Sequence, residues 1–374
     1  MSAAASSTEV DSVYMRRALE LARLGWGQTA PNPMVGAVVV AGGQVVGEGF
    51  HARYGEAHAE VVALRKAGDR ARGATVYVTL EPCAHYGKPP PCADALIEAG
   101  VSRVVIAAPD PSRTARGGAS RLKQAGIEVD VGIELDAALE INAPFFNAIV
   151  SHRPWVTLKL ALSADGGIAD PAGVHRWITG PESRVEVHRL RANADAIAVG
   201  VGTVMADDPS LTVRDVPAPR IAPRRVVFDS MLRTPRSSNL IRTAKETETI
   251  LLGRLGAVPV DRLAMVTEAG ATVLLTPSLH ESLEVLAQRG IRSLFVEGGA
   301  KLAGSLIQAG LVDRLVIFRS QLVLGDQALK AFACAPAQFE TRLGDHEHRV
   351  VENKRFGDDT MTVYAFREVP CSPG

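Results

Sequence analysis

The feature that most restricts what this chain can fold into is a repeated switch between two hydrophobic periods. "AHAEVVALRKAG" spaces its apolar residues along one helix face and stops at Gly68. "TVYVTL" is β-rich, "CADALIEAG" is helical and again stops at glycine, and "RVVIAA" is β-rich. "ASRLKQAG" and "IEVDVG" extend the series. Alternation of this kind predicts an α/β layered domain with parallel strands covered by helices. Upstream, "VGAVVVAGGQVVGEGF" (Val35 to Phe50) places two β-rich runs around Ala-Gly-Gly, which predicts a hairpin. "LDAALEINAPFFNAIV" reads as a closing helix that Pro144 kinks or restarts.

"SHRP" (Ser151 to Pro154) marks a boundary, and a second alternating series follows. Its expected strands are "WVTLKLAL", "DAIAVGVG", "RRVVFDS", "TILLG", "ATVLLT", "SLFVEGG" and "RLVIFR". "MTVYAFRE" is expected to be antiparallel at the sheet edge. The 374 residues thus divide into domains at 9–150 and 151–369, each large enough for its own core. Lys and Arg number 41 against 41 Asp and Glu, so no overall field gathers nucleic acid or anionic membrane, and neither partner is expected. The start, "MSAAASSTEVDS", lacks the basic-then-apolar order of a secretory leader and reads as a disordered lead-in. No apolar run is long enough to span a bilayer, and the expected location is the cytoplasm.

Four cysteines in a chain of this length are not a disulfide framework. Two of them, Cys83 and Cys92, flank a proline-rich loop in "EPCAHYGKPPPC". They could be a disulfide, core thiols or half of a metal site; a reducing compartment disfavours the first. "GEAHAE" supplies His58 at the start of one expected helix, and Cys92 starts another. One imidazole and two thiolates make three ligands for Zn²⁺ and leave the fourth tetrahedral position for water, as in catalytic zinc sites. A helix N-terminus favours the thiolate form. Glu60, two residues after His58, is placed to shuttle protons without ligating. This is the H-x-E and P-C-…-C logic of zinc nucleobase deaminases, with a longer gap between the cysteines.

With these residues in view, the chain resembles the bifunctional riboflavin-biosynthesis deaminase–reductase family, RibD, over nearly its whole length. "PNPMVGAVVV", "GEGFHARYGEAHAEVVAL", "GATVYVTLEPCAHYGKPPPCADALI" and "AGVSRVVIAAPDP" carry the resemblance in the first half. It implies a cytidine-deaminase-like three-layer domain that removes the 2-amino group from a diaminopyrimidinone bearing a ribosylamino 5′-phosphate. By that pattern His58, Cys83 and Cys92 are zinc ligands and Glu60 is the proton shuttle, while Asn32, His51, His85 and Lys88 line the substrate pocket.

Taken alone, the second half has no G-x-G-x-x-G after a strand. "FVEGGAKLAGSLIQAG" is a strand, a two-glycine turn and a helix, which could receive a diphosphate or be only a tight connection. "VTLKLALSADGGIA", "RWITGPESRVEVHRLRANADAIAVGVGTVMADDPSLTVR" and "SLFVEGGAKLAGSLIQAGLVDRL" resemble the family's reductase. That implies a dihydrofolate-reductase-like α/β domain using NADPH to reduce the ribosyl group to ribityl. The resemblance puts Ala161, Trp177, Thr203, Asp207, Ser230 and the run Gly299, Ala300, Lys301, Leu302, Ala303, Gly304, Ser305 at the NADPH. It puts Arg191, Leu211, Arg214 and Glu297 at the substrate, with His175 beside them and Lys159 in reach. It also suggests a homo-oligomer, a dimer or larger, acting on a small molecule.

Three segments depart from the family pattern: "SRTARGGAS" (Ser112 to Ser120), Ala164 in "LSADGG", and "FRSQLVLGD" (Phe318 to Asp326). Two other readings stand beside the leading one: a zinc deaminase acting on a free base or on tRNA, and a protein whose second half binds NADPH or pyrimidine without turnover.

Overall fold

The computed structural model describes residues 7–85, 90–170, 174–175, 177–331 and 348–370. Its contacts form two compact units, one from the described residues up to Val150 with Val369 and Pro370, the other within Ser151–Glu368.

The first unit runs α1 (Ser7–Ala22), β1 (Gly36–Ala41), β2 (Gln44–Phe50), α2 (Ala59–Ala67), β3 (Thr75–Leu80), α3 (Cys92–Ala99), β4 (Arg103–Ala108), α4 (Gly118–Gln124), β5 (Glu128–Val131), α5 (Leu135–Ile141) and α6 (Ala143–Val150). Helix α1 begins at Ser7, inside the stretch expected to be a disordered lead-in. Its apolar residues Met15, Ala18, Leu19 and Ala22 fall at helical spacing and are buried, and that burial orders it. The sheet order is β2-β1-β3-β4-β5, with the expected hairpin antiparallel and β3, β4 and β5 parallel. Gly47 and Gly49 let α2 lie close on β2; a Cβ at either would stand 2.3 Å from a carbonyl oxygen of α2, Ala63 or Ala59. The core joins Val39, Val76, Val78, Leu96, Val104, Ile106 and Leu122. The closing helix is two helices that break at Asn142, two residues before Pro144. The buried Asn142 amide spans Met34 on both sides, accepting from Met34 N and donating to Met34 O at 2.8 Å each.

The second unit runs β6 (Trp155–Leu162), β7 (Gly167–Ala169), α7 (Pro181–Ala192), β8 (Ala196–Gly200), α8 (Val201–Asp207), β9 (Arg224–Phe228), α9 (Asn239–Arg242), β10 (Thr249–Arg254), α10 (Val260–Glu268), β11 (Thr272–Thr276), α11 (Leu279–Gln288), β12 (Ser293–Glu297), α12 (Ala300–Gln308), β13 (Arg314–Arg319), β14 (Leu329–Lys330), β15 (Arg349–Phe356) and β16 (Asp359–Ala365). Among the described residues the main sheet has the order β11-β10-β9-β8-β12-β6-β13-β16-β15. The strands from β11 to β13 are parallel, and β16 and β15 add antiparallel pairs. Side chains alternate between two cores: Ala196, Ala198 and Val226 face one, Ile197, Val199 and Val227 the other. Two expectations are corrected. The strand over "DAIAVGVG" ends at Gly200 and a helix starts at Val201. The edge strand is β15, with β16 inside it. No helix among the described residues is long and apolar enough to cross a membrane.

Strand β12 is inserted between β8 and β6, so connections leave the carboxyl ends of neighbouring strands in different directions. Open α/β sheets bind ligands in the crevice such a switch leaves.

Candidate active sites

Strand β3 delivers Glu81, Pro82 and Cys83; His58 precedes the first residue of α2; Cys92 is the first residue of α3. These ends converge. His58 Nδ1 lies 3.2 Å from Cys92 Sγ and 3.8 Å from Cys83 Sγ, and Cys92 N donates to Cys83 Sγ at 3.3 Å. The three donor atoms all lie within 4.8 Å of one another, and both cysteines are free thiols. A tetrahedral zinc with N and S ligands needs ligand-to-ligand separations of about 3.5–3.8 Å. The donor set suits that ion in chemistry, and the imidazole-to-sulfur spacings of 3.2 and 3.8 Å leave only a small adjustment to reach it. The protons tell the same story. The hydrogen bond with Cys92, then that with His58, pushes the Cys83 thiol down to about 4 despite burial. Cys92 is pushed up, by its bond to Cys83 and by burial. A divalent cation held by the two sulfurs and the imidazole would take the place of the protons they share.

Glu60 is 3% exposed, against this cluster, and burial pushes its carboxyl up. A carboxyl raised in this way gives back more readily a proton that it has taken. His51 is buried edge-on to His58, with ring centroids 5.4 Å apart. Its Nδ1 faces Ala57 O at 3.2 Å and its Nε2 faces Asn32 Nδ2 at 3.3 Å. A carbonyl only accepts and an amide NH₂ only donates, so the ring is neutral with its proton on Nδ1. Burial lowers its pKa in keeping with that. Asn142, by holding Met34, fixes the segment that carries Asn32. His85 is exposed; Lys88 lies outside the described residues.

Glu81 is a residue sequence reasoning missed. Its carboxylate accepts from Asp110 N at 3.1 Å and from Gly117 N and Ala119 N at 3.0 Å each. It thereby ties the divergent loop after Asp110 to the strand end bearing Cys83. The loop closes on itself through Ser112 N to Asp110 Oδ1 and a Ser112–Thr114 hydroxyl contact. Gly118 completes the seam, because a Cβ there would stand 1.8 Å from Pro82 O. Gly118→Ala must displace Pro82 beside a ligand, and zinc is expected to bind roughly 10–100-fold more weakly. Chelator competition on the full chain measures this; unchanged affinity would contradict the seam.

In the second unit, Arg191 of α7 grips Glu297 at the end of β12 through two bonds, one from Nη2 to Oε2 at 2.8 Å. Their side chains are 12% and 16% exposed. Lys159 of β6 is in register with Glu297. Burial pushes its ammonium pKa down, opposed by Glu297 and aided by Arg191. Arg191 also donates to Thr212 O at 2.8 Å, and Arg214 to Thr212 Oγ1 at 3.0 Å. Helix α7 is held in place by Asp359 of β16, which accepts from Gly180 N at 2.7 Å and Ser183 Oγ at 2.6 Å. Arg191, Glu297 and Lys159 therefore come together, and Arg214 is joined to Arg191 through Thr212. Leu211 is buried at φ +50°, so its side chain belongs to the core. His175 is exposed and its N donates to Asp170; no described contact joins it to the cluster.

Gly299 is the residue before α12, and Thr203 Oγ1 lies 3.5 Å from where its Cβ would stand. Ala300, Leu302 and Ala303 are buried, so any cofactor contact from them is through backbone; Lys301 and Ser305 are exposed, Gly304 half-buried. Ala161 lies on β6 two residues past Lys159, and Asp207 is exposed at the end of α8. Ser230 is exposed after β9. Trp177 is 58% exposed with the Arg184 guanidinium 5.1 Å from its ring centre, so it is not a core aromatic. The divergent "FRSQLVLGD" segment is tied to the "LSADGG" turn. Asp165 accepts from Ser163 Oγ, Leu324 N and Gly325 N, which holds its carboxyl down to about 2. Ala164 is exposed, so its small side chain leaves no gap in the core.

Residues 8–108 match the cytidine and deoxycytidylate deaminase zinc-binding region, and residues 154–356 match the RibD C-terminal domain. The riboflavin biosynthesis protein RibD of Aquifex aeolicus (strain VF5) is 44% identical over 321 residues, 85% of this chain and 89% of that one. The Escherichia coli (strain K12) protein of the same name is 42% identical over 333 residues, again 85% and 89%. Acinetobacter baumannii RibD, form 1, superposes with a TM-score of 0.79 at 36% identity, covering 96% of this chain and 99% of that one. A Thermotoga maritima structure, described as a diaminohydroxyphosphoribosylaminopyrimidine deaminase/5-amino-6-(5-phosphoribosylamino)uracil reductase, gives 0.78 at 31% identity over 97% and 100%. Both expected folds, the cytidine-deaminase-like and the reductase, are thereby found in one chain. Since the likeness spans both units and a donor set suited to zinc lies in the first, the chain belongs to the RibD family, the two-activity enzymes of riboflavin biosynthesis that pair a zinc-dependent deaminase with an NADPH-dependent reductase.

Proposed function

We propose that this chain deaminates 2,5-diamino-6-ribosylamino-4(3H)-pyrimidinone 5′-phosphate through residues 9–150 and reduces the product's ribosyl group to ribityl through residues 151–369. The observation carrying this reading is the convergence of His58, Cys83 and Cys92 beside the buried Glu60. His58, Cys83 and Cys92 hold the zinc, which when bound supplies a Lewis acid that makes water nucleophilic near neutral pH. Glu60 takes a proton from the attacking water on its carboxylate and returns one to the leaving amine. Asn32 and His51 orient the pyrimidine ring, and their mutual hydrogen bond fixes which polar atoms they present. His85 and Lys88 meet the phosphoribosyl end.

In the reductase half, NADPH supplies the hydride. The start of α12 from Gly299 to Ser305, with Thr203, Asp207, Ser230, Ala161 and Trp177, binds and orients it. Arg191 and Arg214 take the substrate phosphate, with the backbone at Leu211 beside them, while Glu297 and Lys159 face the ribosyl group. Thiolate ligands call for a reducing compartment, which favours the cytoplasm. By family likeness the working form is a homo-oligomer, a dimer or larger.

Arg191→Ala and Arg214→Ala test the phosphate assignment. Each removes charged hydrogen bonds of about 1.5–3 kcal/mol, so the reductase KM is expected to rise about 10- to 100-fold. Deamination by the same proteins should be unchanged. A KM unmoved in both variants contradicts the assignment.

A further inference from the structure

We propose that His188 is a positioning residue of the reductase site: in its neutral form it holds the backbone of Arg214, and so sets the phosphate-binding pair Arg191–Arg214. The proposal rests on the reading that these arginines take the substrate phosphate. His188 lies on α7 three residues before Arg191, on the same helix face, and is 7% exposed. Its Nδ1 accepts from Arg214 N at 3.2 Å, across 26 positions of chain. A backbone N–H only donates, so Nδ1 is bare and the ring proton sits on Nε2.

The segment this bond holds needs holding. Leu211 stands at φ +50° and Asp215 at φ +61°, a region side-chain-bearing residues seldom adopt. Arg191 pins the same segment at Thr212 O, and Arg214 reaches back to Thr212 Oγ1. One helix face thus fixes both arginines: Arg191 directly, Arg214 through His188.

The charged groups facing His188 are Arg191 on its own helix, Arg214 and Asp215 on the held segment, and Glu297 on β12. Burial and then the two arginines lower its pKa, while Glu297 and Asp215 oppose them. Neutral imidazole is therefore the working form. Protonation would turn Nδ1 from acceptor to donor against the Arg214 N–H, and would add a cation beside two others. The clamp is whole above the ordinary imidazole pKa of about 6.5 and is lost only as pH falls below it.

The test uses the full chain with saturating NADPH and the deaminated phosphorylated substrate, from about pH 5 to pH 8. His188→Asn keeps an acceptor near the Nδ1 position but does not titrate; His188→Leu removes the acceptor. At pH 7.5 His188→Leu is expected to raise KM about tenfold with kcat nearly unchanged, and His188→Asn to stay near wild type. As pH falls below the ordinary imidazole range, the wild-type KM should rise more than that of His188→Asn. The substrate phosphate titrates equally for both proteins, so this difference belongs to His188. A His188→Asn profile superimposable on wild type overturns the proposal, even if His188→Leu fails to fold. So does an unchanged KM in His188→Leu while Arg191→Ala and Arg214→Ala raise theirs. If the arginine variants also leave KM unchanged, the phosphate reading falls, and the proposal with it.

Discussion

Replacing Glu60 by Gln is expected to slow ammonia release by about 10²- to 10⁴-fold while leaving zinc bound and the reductase at wild-type rate. The side chains are nearly isosteric, so the buried position beside Cys92 is kept. His58, Cys83 and Cys92 are untouched, so metal content should not fall. What disappears is a group that accepts a proton from water and releases one to nitrogen. Burial makes the native carboxyl suited to this, because it raises the pKa toward the working pH. Full deaminase activity in this variant would remove Glu60 from the mechanism. Loss of zinc together with activity would make it a structural residue instead.

Glu297→Leu is expected to destabilise the second unit by about 3 kcal/mol or more, lowering its Tm by roughly 6–12 °C. Glu297 is the carboxylate that the Arg191 guanidinium grips, with Lys159 in register on the next strand. Removing it leaves two largely desolvated cations facing each other without a counter-charge. The arginine keeps its bond to Thr212 O, which limits but does not cancel the loss. Thermal unfolding of the full chain reads the effect. An unchanged Tm would mean that solvent already neutralises this cluster.

The zinc site was legible because its chemistry is local. His58, Cys83 and Cys92 stand at the start of a helix, the end of a strand and the start of another helix, and each of those ends has a periodic signal. The two compact units part after Val150, with Val369 and Pro370 grouped with the first rather than with the second. Where pattern is weak, the reading failed. Strand β15, "RVVENKRF", has no buried residue, so no hydrophobic alternation announces it, and its pairing with β16 alone makes it a strand. The apolar run from Ala196 to Val204 gives no sign that a strand becomes a helix at Val201, since short apolar runs suit both. The supporting residues were hidden for another reason. Glu81, His188 and Asp359 act on backbone N–H groups 26 to 179 positions away. Such bonds depend on tertiary placement, and the side chains look like ordinary surface polar residues until the chain closes around them. Helix α7 shows this plainly, because Ser183, Glu186 and His188 are among its buried residues.

One chain performs both steps if zinc at His58, Cys83 and Cys92 serves the first. Purified, zinc-loaded protein supplied with the phosphorylated diaminopyrimidinone and NADPH allows ammonia released and NADPH oxidised to be measured in the same reaction. Ammonia is expected to appear first, with NADPH oxidation following to an equal final amount. Ammonia without NADPH oxidation, NADPH oxidation without ammonia, or neither, would contradict it.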